Sequence, residues 1–263
     1  MHFGILQDLL SDPRSTLMFL LLAMPGRLLA ISAHEAAHAW VADRCGDPTA
    51  RMMGRVTLNP LKHLDPVGIL CMLFLGIGWA KPVPVNPRNF KNYRRDDLLV
   101  SLAGITMNLI LFLLGGILMY VILGIVLASV PMENYGASAA MLRAQIVRYA
   151  YGASDIVITP LCGQIAGYLY TMLVYFVLTN ITLAVFNLIP VPPLDGYHVL
   201  NDTLLRRSRL FATQRAQQIG MAVMLVALWT GVLGEVLNFI VYDGVLEGFG
   251  RLAQGVFRLL GIL

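Results

Sequence analysis

His34, Glu35 and His38 form a His-Glu-x-x-His pattern inside an otherwise apolar stretch, "AISAHEAAHAW". In an α-helix, residues four positions apart lie on one face, with about 5–6 Å between their Cβ atoms. Two imidazoles at that separation can bind one zinc ion through nitrogens at about 2.0–2.1 Å. Glu35 is rotated about 100° from His34 around the helix, where its carboxylate can act as a general base toward water that the metal activates.

The apolar surroundings favour a metal site at this pattern. Ionisable groups inside a membrane span are costly and usually functional. Three such groups within five residues, with no cation among them, call for a shared cation. The alternative is that the three residues lie near a helix end and pair with lipid headgroups or with one another.

A catalytic zinc ion needs a third protein ligand and one open position. The best candidate is Asp195, in "NLIPVPPLDGYHVL", where three prolines end the preceding apolar segment. No lysine or arginine occupies the ten positions after Asp195, so a metal is a natural partner for its carboxylate. The alternative is that Asp195 caps a helix beginning at Tyr197. His198, three residues after Asp195, is less favoured as a ligand.

The composition predicts a membrane protein. The chain is 57% hydrophobic and 13% charged, with a mean hydropathy of +0.71, whereas soluble domains are about a quarter charged. Four segments are long enough to cross a membrane: roughly residues 17–42, 98–130, 161–189 and 219–241. A fifth, residues 67–79, is too short for a straight crossing and predicts a re-entrant or buried segment. We expect one domain over residues 1–263, with a core at roughly 17–200 and one or more extra helices in 214–263.

The basic residues predict the orientation of the chain in the membrane. Nine lysines and arginines lie between Arg44 and Arg95, and four more lie in residues 206–215. The positive-inside rule then places residues 44–97 and 196–215 in the cytoplasm and residues 131–160 outside. The pI of about 9.1 therefore indicates topology and contact with lipid headgroups, and we expect no nucleic-acid partner.

Two further motifs accompany the His-Glu-x-x-His pattern. Gly104 and Asn108 form Gly-x-x-x-Asn, and "NLIPVPPLDG" begins at Asn187. With these three motifs in this order, the chain resembles the site-2 protease family of intramembrane zinc metalloproteases. The resemblance covers roughly residues 17–200. Ile105 departs from the proline that many relatives carry there, which changes the expected helix kink without being expected to abolish activity.

The resemblance implies a fold and a ligand set. The fold would be an all-α polytopic membrane protein with about four to six transmembrane helices. A small membrane-associated β/re-entrant region would lie between the first two core helices, where "RVTLNPLKHLDPVG" and "GWAKPVPVN" resemble the family's strand region. His34, His38 and Asp195 would bind one Zn²⁺ per chain, and Glu35 would activate water.

The resemblance also places two asparagines near the site. Asn108 and Asn187 would contact the substrate backbone or a developing oxyanion; the alternative is hydrogen bonding between helices. His63 and Asp65 could orient a ligand, or Asp65 could simply cap a loop.

The activity implied is hydrolysis of peptide bonds in membrane-embedded substrates, within or near a transmembrane segment, as in regulated intramembrane proteolysis. The enzyme would be a zinc metalloendopeptidase of the bacterial cell membrane, with its active site toward the cytoplasm. Its partners would be a transmembrane protein or peptide substrate and membrane lipid, with a homo-oligomer or a regulatory membrane partner left open. Two alternatives are a metal transporter and an inactive relative. A transporter would need a second set of intramembrane ligands along a path, which the sequence lacks. An inactive relative would have lost a ligand or the base, and none is lost here.

Substrate binding is expected to use extended backbone. A membrane-embedded helix has its backbone already hydrogen-bonded, so a protease must unwind it. The proline-containing segment 83–90 could present an edge with which the substrate pairs as an added strand, and Val56, Val83 and Val85 are suitable β-formers.

Cysteine labelling tests the predicted orientation, in a background lacking Cys45, Cys71 and Cys162. A membrane-impermeant thiol reagent added to intact cells should label Asn134→Cys and leave Arg51→Cys unlabelled, because basic segments stay in the cytoplasm. Permeabilised cells, in which both positions should react, provide the control. Labelling of Arg51→Cys in intact cells would invert the orientation.

Overall fold

The computed structural model describes residues 5–75, 78–129, 139–203 and 213–263. These residues are predominantly helical, which confirms the all-α prediction. The α-helices are α1 (Ile5–Ser11), α2 (Pro13–Cys45), α3 (Thr49–Met52), α4 (Pro66–Leu75), α5 (Tyr93–Ser129), α6 (Ala139–Arg148), α7 (Thr159–Cys162), α8 (Gln164–Asn187), α9 (Asp195–Thr203), α10 (Gln214–Trp229), α11 (Val232–Asn238) and α12 (Glu247–Leu259). Short 3₁₀ turns occupy Pro60–Lys62, Pro87–Asn89 and Ala150–Gly152, and π-helical turns occupy Ser154–Ile158 and Phe239–Leu246.

Within the described residues, three helices are long and apolar enough to cross a membrane: α2, α5 and α8. The predicted segment 219–241 is not one straight helix, because the chain bends by 75° between Arg215–Trp229 and Val232–Leu259. Gly231 at this bend has a φ of 80°, a left-handed conformation that glycine adopts without steric cost. The described residues therefore contain three candidate spans, or four if the bent pair crosses as one span. The prediction was about four to six.

The three long helices pack against one another and form the core of the bundle. Small residues allow two of the close approaches. A Cβ added at Gly26 of α2 would lie 3.0 Å from the Cα of Phe176 in α8, and one at Gly115 of α5 would lie 2.9 Å from Cγ2 of Val177. Between membrane helices, such close packing replaces the hydrophobic driving force that water supplies to soluble bundles.

The predicted β/re-entrant region between α2 and α5 is not supported. Among the described residues of this region there is no strand, and the one ladder-like contact is an isolated antiparallel bridge between Leu64 and Ala80. The sequence pattern misled because prolines at positions 82, 84 and 87 remove amide donors that a strand needs. Segment 67–79 begins as α4, and its residues 76–77 lie outside the described residues.

Side-chain carboxylates take the place of strand pairing in the proline-containing segment. The fully buried Asp47, just after α2, accepts hydrogen bonds from Asn86 N at 2.7 Å and Asn89 Nδ2 at 2.7 Å. It also accepts from Thr49 N at 3.2 Å. Burial acts to raise the pKa of Asp47, but these hydrogen bonds outweigh it and lower the pKa below its ordinary value. Asp47 therefore ties the segment that precedes α5 to the end of α2.

Asp47→Ala should destabilise the fold, because it leaves the buried donors of Asn86 and Asn89 without an acceptor. Each lost acceptor costs about 1–3 kcal/mol, which should lower the melting temperature of the detergent-solubilised protein by roughly 5 °C or more. Asp43→Ala is the control, since Asp43 pairs with an Arg51 side chain that is 62% exposed and such pairs contribute about 0–1 kcal/mol. Equal melting temperatures for the two variants would contradict this role of Asp47.

Candidate metal centre

The structure brings together the three predicted ligands. His34 and His38 lie one turn apart on α2, and Asp195 is the first residue of α9. The Nε2 atoms of the two histidines are 3.0 Å apart, and Asp195 Oδ2 lies 3.2 Å from His34 Nε2 and 3.3 Å from His38 Nε2. The two histidines are buried and Asp195 is partly buried.

The hydrogen bonds on the far side of each imidazole determine which nitrogen faces the cluster with a lone pair. His38 Nδ1 lies 2.7 Å from the carbonyl oxygen of Val100, which can only accept, so Nδ1 donates. Asn108 directs its Nδ2 to the carbonyl oxygen of Ala30 and to Asn180 Oδ1, which leaves its Oδ1 to accept from His34 Nδ1 at 2.6 Å. In neutral imidazoles both Nε2 atoms are then unprotonated acceptors.

A cation fits this cluster better than any hydrogen-bonding scheme. Asp195 Oδ2 is buried and receives no hydrogen bond, so three acceptor atoms converge. One added proton would serve a single pair of them, whereas a cation satisfies all three. Two imidazole nitrogens and one carboxylate oxygen are ligands that zinc uses in catalytic sites, where a fourth position stays open.

The approach of Asp195 to the histidines depends on the turn after α8. Residues 188–194 form a turn closed by hydrogen bonds from Val191 N to Ile189 O at 2.8 Å and from Leu194 N to Val191 O at 2.9 Å. A Cβ at Gly196 would overlap the carbonyl group of Leu188. Glycine is therefore required after the aspartate if α9 is to start this close to the end of α8.

Helix α5 closes the site from a third direction, at Gly104 of the Gly-x-x-x-Asn motif. A Cβ added there would lie 2.5 Å from His34 Cε1 and 2.5 Å from His38 Nε2. The absence of a side chain at Gly104 allows α5 to approach the two imidazoles, which brings Asn108 and Val100 of the same helix within reach of them.

Glu35 lies beside the ligand cluster but outside it. Its Oε2 accepts a hydrogen bond from Val83 N at 3.0 Å. Glu35 and the three ligands line one cavity of about 530 Å³, whose walls also include Val83 and Val85. The arrangement can hold a metal ion and a general base against one shared space.

The two predicted asparagines are placed differently. Asn108 is fully buried, and its three hydrogen bonds join α2, α5 and α8 while holding His34. These contacts favour the positioning of His34 over contact with substrate. Asn187 lines the cavity, with its Nδ2 donating to Leu183 O at 3.0 Å.

Other residues considered from the sequence lie at the edge of the site or away from it. His63 is buried and bonds through Nε2 to Thr57 O at 2.7 Å, and Asp65 Oδ1 accepts from Gly68 N at the start of α4, as the capping alternative predicted. His198 lines the cavity without joining the ligand cluster. Val56 is not among the cavity-lining residues.

Sequence reasoning missed the supports of the ligands. Val100 acts through its backbone carbonyl, which carries no residue-type signal. Asn180 bonds to Asn108, and an asparagine in the middle of an apolar span was a signal that could have been used. Asp97 and Asp202 were also missed.

Asp97, His198 and Asp202 form a polar cluster between α5 and α9. His198 Nδ1 lies 3.0 Å from Asp97 Oδ2, and this hydrogen bond is the main cause that raises the pKa of His198. Burial, followed by the neighbouring Asp97 carboxyl, raises the pKa of Asp202 to about 6. The cluster joins the helix that carries Asp195 to the helix that supports the histidines.

Comparison with known proteins identifies the family. The family model described as Peptidase family M50 matches residues 26–231. The chain belongs to peptidase family M50, the site-2 protease family. This M50 peptidase is 33% identical over 248 residues to "Putative zinc metalloprotease YwhC" of Bacillus subtilis strain 168, with 94% of this chain and 96% of that protein covered.

Two mycobacterial relatives carry one name. "Putative zinc metalloprotease Rip2" of Mycolicibacterium smegmatis is 26% identical over 235 residues, with 88% of this chain and 75% of that protein covered. Its namesake in Mycobacterium tuberculosis strain H37Rv is 27% identical over 227 residues, with 84% and 71% covered. No solved structure matches the chain significantly. Together with the apolar helices, the family makes this M50 peptidase a bacterial integral membrane metalloprotease with zinc as its metal.

Gly104→Ala in this M50 peptidase should lower zinc content, because the added methyl group must displace the imidazoles. Metal analysis of the purified protein should show about one zinc ion per chain in the wild type and a clear loss in the variant. Gly116→Ala is the control on the same helix, since its Cβ would meet the Phe249 ring at 2.6 Å, far from the ligands. Equal zinc content in Gly104→Ala and wild type would show that α5 does not constrain the site.

Proposed function

We propose that this M50 peptidase is a site-2-type endopeptidase that hydrolyses peptide bonds of membrane-embedded substrates within or near a transmembrane segment. One observation carries the proposal: His34 Nε2, His38 Nε2 and Asp195 Oδ2 converge beside a cavity that Glu35 also lines. Ligands without an adjacent base would suit a structural or transport site equally well.

The residues have separate roles in the proposed mechanism. His34, His38 and Asp195 would hold the zinc ion, which would supply a Lewis acid and lower the pKa of a water molecule. The Glu35 carboxylate accepts the proton from the attacking water and then returns it to the leaving amine. Asn108 and Val100 keep both imidazoles oriented, since each accepts from the Nδ1 atom opposite the metal.

The cavity wall supports a proposal for how the substrate is held. Val83 and Val85 line the cavity, and the prolines at 82, 84 and 87 keep this segment extended. A substrate helix must unwind before its peptide bonds become accessible. We propose that the unwound stretch lies along residues 82–85, with the Asn187 amide at the same cavity contacting its backbone.

The Glu35–Val83 hydrogen bond links this wall to the base. Val83 N lies 3.0 Å from Glu35 Oε2, so the Val83 amide already donates to one oxygen of the carboxylate. A substrate lying along the segment is therefore brought next to the group that moves the proton. Proximity of this kind is a major source of rate enhancement in enzymes.

The proposed active site opens toward the cytoplasm. The proposed ligands His34 and His38 lie in the C-terminal half of α2, before the basic stretch that begins at Arg44, and the positive-inside rule assigns that end to the cytoplasm. Membrane lipid and a transmembrane protein or peptide substrate are the proposed partners.

A metal transporter is the alternative from another class. Transit requires a series of sites along a path, and the described residues contain one group of three or more His, Cys, Asp or Glu side chains whose ligand atoms all lie within 4.8 Å of one another. Glu35 would also have no distinct role in transport. The structure therefore offers no observation that favours this alternative.

Glu35→Gln should retain zinc and lose cleavage, because an amide cannot accept the proton from water while the three ligands are unchanged. His34→Ala and Asp195→Ala should lose both. The measurements are zinc content of the purified variants and comparison of the membrane proteome of cells that express wild type or Glu35→Gln, searching for a fragment cut within a span.

Two results would contradict the proposal. Release of zinc from Glu35→Gln to the same extent as from Asp195→Ala would mean that the roles are assigned wrongly. A Glu35→Gln protein that produces the same fragments as wild type would remove Glu35 as the general base.

A further inference from the structure

One ionisable pair in the cavity wall has no role in the proposed mechanism. His198 and Asp97 both line the cavity that holds Glu35 and the three ligands. His198 lies three residues after Asp195 on α9, a spacing that places both side chains on one helix face. The His198 side chain is 46% exposed, whereas that of Asp97 is 11% exposed. The imidazole of His198 is therefore accessible from the cavity, whereas the carboxylate of Asp97 is largely buried.

The contacts of His198 fix its orientation. Asp97 Oδ2, 3.0 Å away, can accept the hydrogen of Nδ1, which leaves Nε2 as the second donor of a protonated ring. Nε2 makes no hydrogen bond within the described residues. Tyr197 packs edge-on against the ring, with centroids 5.3 Å apart. Such a ring is held in place before a ligand arrives.

The far end of α9 is tied to the same helix as Asp97. Arg94 donates through Nε to the carbonyl oxygen of Asp202 at 2.7 Å, and Asp202 itself is buried next to Asp97. His198 thus lies on a short helix that begins at Asp195, beside the ligand cluster, and whose far end is held by Arg94 of α5. Placement on a rigid element is what a group that acts on a reacting atom requires.

Peptide hydrolysis at this cavity would be accelerated by a hydrogen-bond donor that reaches the scissile carbonyl oxygen. As water adds to the scissile carbonyl carbon, the carbonyl oxygen acquires negative charge, and donors aimed at that oxygen stabilise the transition state. Among the lining side chains of the described residues, the carboxylates offer only acceptors. Trp79, Ser101 and Asn187 can donate as neutral groups, and Asn187 already donates to Leu183 O. Apart from the two histidine ligands, His198 is the lining side chain that can carry a positive charge.

We propose that His198 is a further catalytic residue, whose Nε2–H donates a hydrogen bond to the scissile carbonyl oxygen as it becomes the tetrahedral oxyanion, with Asp97 as its positioning residue. The inference rests on the proposed function, since it assigns a role in the same hydrolysis. The assignment differs from that of a fourth metal ligand, because His198 lies outside the ligand cluster.

The test uses the full-length, zinc-loaded protein with fluorescein-labelled casein as the cleavage probe. His198→Ala should keep its zinc and lower kcat by about 10²–10³-fold, the loss typical of one oxyanion donor, while KM changes little. His198→Gln should recover part of the rate, because its amide can still donate. Asp97→Asn should lower kcat with zinc retained. Thr203→Ala, on the outer part of α9, is the control expected to match wild type.

A binding measurement gives a readout apart from activity. N-phosphoryl-Leu-Trp carries anionic tetrahedral oxygens, and N-acetyl-Leu-Trp is its planar counterpart. His198→Ala should weaken binding of the phosphoryl compound by tenfold or more relative to wild type, and binding of the acetyl compound should change by less than twofold. If His198 served only to connect α5 and α9, His198→Ala would instead weaken the binding of both compounds and lower the zinc content.

The outcomes separate this inference from the proposed function. If wild-type protein retains zinc but cleaves neither casein nor any membrane protein, the proposed function fails, whereas the two dipeptides still test His198. If wild type cleaves and His198→Ala has the same kcat, the inference is overturned. Loss of zinc from His198→Ala and His198→Gln alike, with unchanged selectivity between the dipeptides, would also overturn it.

Discussion

Three atoms that all carry lone pairs are held about 3 Å apart between apolar helices, and this convergence is the constraint on which the rest of the structure depends. His34 Nε2, His38 Nε2 and Asp195 Oδ2 cannot satisfy one another by hydrogen bonding. Electrostatic repulsion is strong where the dielectric constant is low, and an unsatisfied buried polar group is costly. A cation between the three atoms would remove this cost, and hydrogen bonds from the rest of the protein hold the two imidazoles in place.

Those supports account for much of the polar content of the bundle. Asn108 hydrogen-bonds to His34, Ala30 and Asn180, so one amide joins all three long helices at the depth of the site. Interhelical hydrogen bonds of this kind contribute modestly to stability, about 0.6–2 kcal/mol each. Their larger effect is geometric, because a ligand whose ring is fixed before the metal arrives loses little freedom when it binds. Glycine at position 104 allows the same helix to approach.

The segment before α5 shows how an irregular backbone is tolerated beside such a site. Backbone amides that have no neighbouring strand need another partner within the protein. Here Glu35 and Asp47 accept from the amides of Val83 and Asn86, so carboxylates replace a neighbouring strand. Glu35 and the cavity wall are thereby joined by a hydrogen bond, and His198 of α9 lines the same cavity.

The sequence by itself determined the parts that depend on local spacing. His34 and His38 share a helix face because they are four residues apart, and the spans follow from runs of apolar residues. Asp195 could be paired with the two histidines because it lies in a recognisable motif. The features that depend on packing appear only in the tertiary structure: the break at Gly231, the absence of strands between α2 and α5 in the described residues, and the burial of Asn108 against His34. The partners of His38 and His198, which are the Val100 carbonyl and the Asp97 carboxylate, also appear only in the tertiary structure. Groups so distant in sequence become neighbours only when helices pack, and no local sequence pattern predicts that contact.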